Sequence, residues 1–103
     1  MSVRWMRTAK IRDNKFLEAI SWGKEVAAYV EKKTGSPTVH MWVDTAGEIG
    51  TVRWTLDVAD LAAVEKIQTQ LLLDQTYWQM LAKSAKDGLF IDGAATDVIY
   101  REV

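Results

Sequence analysis

Two stretches of the chain alternate between apolar and polar residues in step with one another, Thr38–Asp44 (TVHMWVD) and Thr51–Asp57 (TVRWTLD), with a turn-like TAGEIG between them. Alternation with period two marks a strand that buries one face. A hairpin folded about Gly47 and Glu48, with Gly47 supplying the positive φ of a type II′ turn, pairs Met41 with Trp54, His40 with Thr55 and Trp42 with Arg53. One face then carries Val39, Met41, Val43, Val52, Trp54 and Leu56, and the other His40, Trp42, Asp44, Thr51, Arg53 and Thr55. Because a slip of one residue would exchange the two faces, this sorting makes the first face core and leaves the second for water, a ligand or a second subunit.

The rest of the pattern completes a strand, helix, strand, strand, helix, strand order. Val3, Trp5, Ala9 and Ile11 alternate with Arg4, Thr8 and Lys10 as in a strand, although Met6 and Arg7 break the rhythm. Asp13 or Asn14 is placed to cap a helix presenting Phe16, Ala19, Ile20, Gly23, Val26, Ala27 and Val30 at spacings of three and four, and Gly35-Ser-Pro37 stops it. After the hairpin, Asp57 or Asp60 caps a second helical stretch with Leu61, Val64, Ile67 and Leu71 on one side. Asp74 restarts a cap ahead of Tyr77, Trp78, Leu81, Ala82 and Ala85, which predicts a kink or split there. Gly88 ends the helix, Gly93 turns the chain, and Thr96–Val103 forms the last strand. Two split βαβ units of this kind build an α+β, ferredoxin-like domain, a four-stranded antiparallel sheet with its helices on one face, spanning residues 1–103.

Composition narrows the function classes. Thirteen Lys and Arg against fourteen Asp and Glu leave a net charge of −1, too little field to draw in a nucleic acid or an anionic membrane. The chain has no cysteine, which removes thiolate chemistry, zinc-thiolate sites and disulfides together and fits a reducing, cytoplasmic setting. No apolar run reaches the length of a membrane span, and the opening Met1–Trp5 lacks the apolar stretch of a signal peptide. The bare sheet face, with Trp42 and His40 among threonines, is too aromatic for an ordinary wet surface, so a homodimer centred on His40, Trp42, Arg53 and Thr55 is expected. The plainer alternative is a solvated face steadied by a Trp42–Arg53 cation–π pair.

The segments Arg4–Arg12 (RWMRTAKIR), Ala19–Val30 (AISWGKEVAAYV) and Asp74–Trp78 (DQTYW) resemble the dimeric α/β-barrel superfamily, near the NIPSNAP and antibiotic-biosynthesis-monooxygenase families. The resemblance covers nearly the whole chain. It implies two sheets meeting in a shared barrel, with a small-molecule cleft between each sheet and its helices. It also implies a range of activities that includes cofactor-independent oxygenation of aromatic compounds and haem degradation. The haem-degrading relatives use an Asn on the first strand and a His from the second helix. This sequence has no Asn between Val3 and Ile11 and no His between Asp60 and Gly88, and no cofactor or metal site is expected.

Candidate chemistry is otherwise sparse. Of the five tryptophans, Trp22, Trp54 and Trp78, with Met41, are placed to wall an aromatic cleft that would take an apolar or aromatic molecule; the same indoles would serve equally to fill a small core. His40 reads as a hydrogen-bonded packing residue, and Asp57, Asp60 and Asp74 as caps. Glu25 and Glu31 read as solvated, and Arg4, Arg7, Lys10 and Arg12 as charges guarding a strand edge. No nucleophile with an identifiable base and no phosphate loop is present. The leading expectation is a small-molecule-binding dimeric barrel, with cofactor-independent monooxygenase-like chemistry as its enzymatic form. The rival is a non-catalytic dimerisation or interaction module. A hollow behind Trp22, Trp54 and Trp78 would favour the first and a solid core the second.

Overall fold

The computed structural model describes residues 2–103. Its elements run β1 (Val3–Lys10), α1 (Phe16–Thr34), β2 (Val39–Val43), β3 (Thr51–Val58), α2 (Leu61–Leu72), α3 (Gln75–Lys86) and β4 (Thr96–Arg101). The four strands form one antiparallel sheet in the order β2-β3-β1-β4, the ferredoxin-like arrangement expected from the pattern. The hairpin has the expected register, with Met41 opposite Trp54, His40 opposite Thr55 and Trp42 opposite Arg53.

Its turn differs from expectation. Strand pairing stops at Val43 and Val52, and the connection closes where the Thr51 amide donates to the Glu48 carbonyl at 3.2 Å. Gly47 and Gly50 both take positive φ, 85° and 90°, so the chain uses a longer loop in place of a two-residue turn.

Helix α1 starts one or two residues later than its expected caps, Asp13 or Asn14, imply. Lys15 occupies the cap position without a side-chain bond, and Asn14 is spent on a left-handed bend with φ 67°. At the other end Gly35, φ 67°, closes the helix through its amide to the Glu31 carbonyl, as its position predicted. Asp60 caps α2 by accepting from the Ala63 amide at 2.9 Å. Asp74 caps α3 by accepting from the Tyr77 amide at 2.9 Å, so the second helical stretch is split there. Asp57 caps nothing; its carboxylate takes Nε and Nη2 of Arg4 at 2.7 and 3.0 Å across the sheet.

The helices cover one face of the sheet, and the core between them falls into two clusters. One joins Val3, Trp5, Leu56 and Val58 to Val26, Val30, Val64, Ile67, Leu71 and Tyr77. The other joins Ala9, Ile11 and Val52 to Ala19 and Leu89. Trp22 packs against both. Strand β4 stays exposed along its whole length, so the space between sheet and helices is open on that side. No helix of the described residues is long and apolar enough to cross a membrane.

Candidate ligand cleft and outer sheet face

Register places residues in rows, because directly paired residues of neighbouring strands project to the same side of the sheet. One row on the helix-covered side reads Met41, Trp54, Arg7 and Asp97, from β2 to β4. The next reads Val39, Leu56, Trp5 and Ile99. Arg7, which breaks the sequence pattern, is thus an inward residue, set between Trp5 and Ala9 on the same face. Since β1 lies in the middle of the sheet, the expectation of charges guarding a strand edge fails for Arg4 and Arg7; both are consumed in cross-strand ion pairs.

A cavity of about 90 Å³ opens where these rows meet α1 and α3. Its apolar wall includes Trp5, Trp22, Trp54 and Tyr77, and Arg7 is the charged residue on its lining. A second hollow, toward the loop between α3 and β4, shares Arg7, Trp22, Trp54 and Leu81 and adds Phe90 and Asp97. A third, toward α2, shares Trp5, Arg7, Tyr77 and Leu81 and adds Trp78 and Glu65. All three adjoin at Arg7.

The aromatic wall is rigid because its indoles are tied at both ends. Trp22 and Trp54 meet edge to face with centroids 6.2 Å apart, and Phe90 closes on both at 5.4 and 6.0 Å. Trp22 Nε1 donates to the Met80 carbonyl at 3.0 Å and Trp54 Nε1 to the Gly23 carbonyl at 3.2 Å. Trp78 Nε1 is held by the Leu72 carbonyl at 2.9 Å and Trp42 Nε1 by Thr55 Oγ1 at 2.8 Å. The fifth indole differs: Trp5 Nε1 is buried without a hydrogen-bond partner.

Of the four proposed ligand-contacting residues, Trp22 and Trp54 line the central cavity. Met41 stands behind them against Gly23, and Trp78 is half-exposed on the hollow beside α2. Arg7, Tyr77, Asp97, Trp5 and Phe90 complete the cleft and were missed from sequence. Arg7 donates Nε and Nη2 to Asp97 at 2.7 and 2.9 Å and Nη1 to the Tyr77 hydroxyl at 2.9 Å. That fork holds the guanidinium protonated well above its ordinary range, against the opposing effect of burial. It likewise holds the Asp97 carboxyl below its ordinary range, helped by Trp5. Burial opposes this shift too.

Behind the cleft, Asp74 accepts both the Tyr77 amide and the Tyr29 hydroxyl, the latter at 2.8 Å. The amide bond is the main cause of the lowered pKa of this buried carboxyl, and the cap fixes where Tyr77 stands. Glu31, expected to be solvated, instead accepts the Val39 amide at 2.6 Å and ties α1 to the start of β2.

The opposite face of the sheet carries His40, Trp42, Arg53 and Thr55 together, as the alternation required. The cation–π pair does not form. Arg53 donates Nε and Nη2 to Asp44, each at 3.0 Å, and Nη1 to Thr8 at 3.1 Å, while Trp42 lies 6.0 Å from the exposed His40 ring. His40 makes no hydrogen bond among the described residues, so it is not the bonded packing residue expected. Thr55 is buried beneath Trp42. The rows add Met6, Val98 and Tyr100 to this face. No three His, Cys, Asp or Glu side chains among the described residues gather as a metal site requires.

No family model and no curated protein matches the sequence. Solved structures do match in shape. A NIPSNAP-like domain protein from Burkholderia xenovorans superposes with a TM-score of 0.80 at 13% identity, over 99% of this chain and 85% of its own. A NIPSNAP family protein from Agrobacterium tumefaciens gives 0.79 at 16% identity, over 100% and 94%. A protein from Nitrosomonas europaea, provisionally designated an antibiotic biosynthesis monooxygenase, gives 0.71 at 9% identity, over 99% and 90%. At such identities the likeness is one of fold.

Proposed function

We propose that the chain binds a flat, apolar or aromatic small molecule in the cleft between its sheet and helices. The observation that carries this reading is the hollow itself. Trp22, Trp54 and Tyr77 leave a cavity among them that Arg7 also lines, and the fork from Arg7 to Asp97 opens onto the adjoining hollow. A core serving packing alone closes to voids no larger than a water molecule. The central cavity takes little more than one small ring, and the two adjoining hollows give a larger ligand room to extend.

The enzymatic form of this reading is cofactor-independent oxygenation; the Nitrosomonas protein's name supports the monooxygenase part alone. His40 and Arg53 have no part in it, because their rows face away from the cleft. The polar groups available there are Arg7 and Tyr77. Closure of the outer face by a second copy of the chain belongs to the same proposal. Its charges are matched within the chain, Arg53 by Asp44 and Arg4 by Asp57, which leaves Trp42, Val98 and Tyr100 exposed without net charge to repel an identical surface.

The test is titration of the full chain with a panel of hydroquinones, flavins, haem and fatty acids, followed by tryptophan fluorescence. Saturable quenching that weakens in Trp54→Phe is the expected result. A flat response across the panel would leave the rival reading, a dimerisation or interaction module.

A further inference from the structure

The Arg7 end of the cleft holds a hydrogen-bond donor that the fold does not use, the Tyr77 hydroxyl. Tyr77 accepts Nη1 of Arg7 through its hydroxyl oxygen, which turns the hydroxyl proton away from the guanidinium; among the described residues that proton meets no acceptor. Trp5 Nε1–H, buried without a hydrogen-bond partner while four other indoles are satisfied, is turned toward Asp97, whose carboxyl it helps hold below its ordinary range. Both side chains line the central hollow and the one beside α2. A buried donor left unmade is costly, so the group that completes this site is an acceptor.

Charge decides which kind of acceptor. Arg7 is the charged residue lining the central hollow, and Asp97 already matches it through two bonds. The adjoining hollows add Asp92, Asp97 and Glu65 and no further cation. An anionic ligand would therefore lie among carboxylates with its one available cation engaged. Resting on the reading of the cleft as a ligand site, we infer that the ligand is an apolar molecule bearing a neutral carbonyl oxygen, which accepts the Tyr77 hydroxyl proton beside Trp5. Carboxylates, fatty acids among them, are turned away at the same point.

Three probes of similar size and skeleton separate the possibilities: acetophenone, cumene and benzoate, titrated into the full chain and followed by the indole N–H signals of Trp5, Trp22 and Trp54 in proton–nitrogen NMR spectra. Acetophenone is expected to bind about fivefold more tightly than cumene, as one net hydrogen bond allows, with benzoate no better than cumene. Tyr77→Phe should abolish the preference while cumene binding persists. If that variant does not fold, Asp97→Asn carries the test: with the guanidinium charge unmatched, benzoate should overtake acetophenone.

Equal binding of acetophenone and cumene, a parent protein that prefers benzoate, a preference that survives Tyr77→Phe, or an Asp97→Asn variant with the parent's order would each overturn the inference while leaving the cleft a binding site. Failure of all three probes to bind would overturn the reading of the cleft as well.

Discussion

Gly23 sits in the middle of α1, where replacing glycine by alanine ordinarily stabilises a helix by about 0.5–1 kcal/mol. Here the sign should reverse. A Cβ built on Gly23 comes within 2.9 Å of Met41 Sδ, nearer still to the Met41 methyl, and 3.0 Å from Trp54 Cζ2. The end of Met41 has three rotatable bonds and can swing aside at modest cost. Trp54 cannot, because its Nε1 donates to the carbonyl of Gly23 itself and Phe90 and Trp22 hold its ring. Overpacking of this kind costs about 1–3 kcal/mol, so after the helix gain Gly23→Ala should be destabilising by about 1–2 kcal/mol. In Met41→Ala the closest obstacle is gone, and adding Gly23→Ala to it should cost about 1 kcal/mol less than in the parent. Urea unfolding at matched protein concentration measures all four corners of the cycle, the matching being needed because any self-association adds to apparent stability. A stabilising Gly23→Ala, additive with Met41→Ala, would show that α1 and the hairpin do not touch as described.

Two further outcomes follow from the outer face and the ion pairs. Trp42→Ala should weaken self-association by about 2 kcal/mol or more, as truncation of a central aromatic anchor does, and sedimentation at micromolar concentration reads it directly; a parent protein that sediments as a monomer would refute the interface. Asp44, Asp57, Asp74 and Asp97 all have folded-state pKa values below the ordinary carboxyl value of 3.8, set by Arg53, by Arg4, by the Tyr77 amide and by Arg7 respectively. Their stabilisation is present above that value and is lost as pH falls below it through the folded values, so urea midpoints should stay level from about pH 7 to pH 5 and fall below about pH 4. The fall should be shallower in Asp97→Asn, and an equal slope in the two proteins would show that the Arg7–Asp97 pair does not form in solution.

How much of this was legible depended on whether a residue's partner was local in sequence. The hairpin register, the break at Asp74 and the stop at Gly35 could be read because each rests on a few neighbouring residues with strong local preferences. The turn inside the hairpin is not fixed by sequence, since two glycines three residues apart allow a loop as readily as a two-residue turn. Asp57 has the local signature of a cap, but a cross-strand arginine takes its carboxylate, and Arg4 stands far away in sequence. The cleft was half legible. Trp22 and Trp54 fell on the predicted apolar stripes, but Phe90 lies in a loop with no period, and Asp97 shows its role only once β4 is laid against β1. Arg7 did carry a signal. It occupies the inward position of an alternation running Val3, Trp5, Arg7, Ala9, so its apparent break in the pattern is a charged residue on the core side.

That misfit bears directly on function. An arginine on the inner face of a central strand gives little to a small fold. Desolvating the pair opposes its attraction, and an apolar pair of similar volume usually serves stability as well or better. Side chains of Arg7 and Asp97 nevertheless stand a little over one third exposed, at 36% and 37%, on the open side of the sheet where β4 goes uncovered. They are buried enough to be fixed by their fork and accessible enough to meet a molecule entering the cleft. Packing explains the tryptophans and the capping aspartates of this chain. It does not explain why the row Met41, Trp54, Arg7, Asp97 ends in a charge pair beside an unused hydroxyl donor, and that unexplained remainder is the ground on which the proposed ligand site rests.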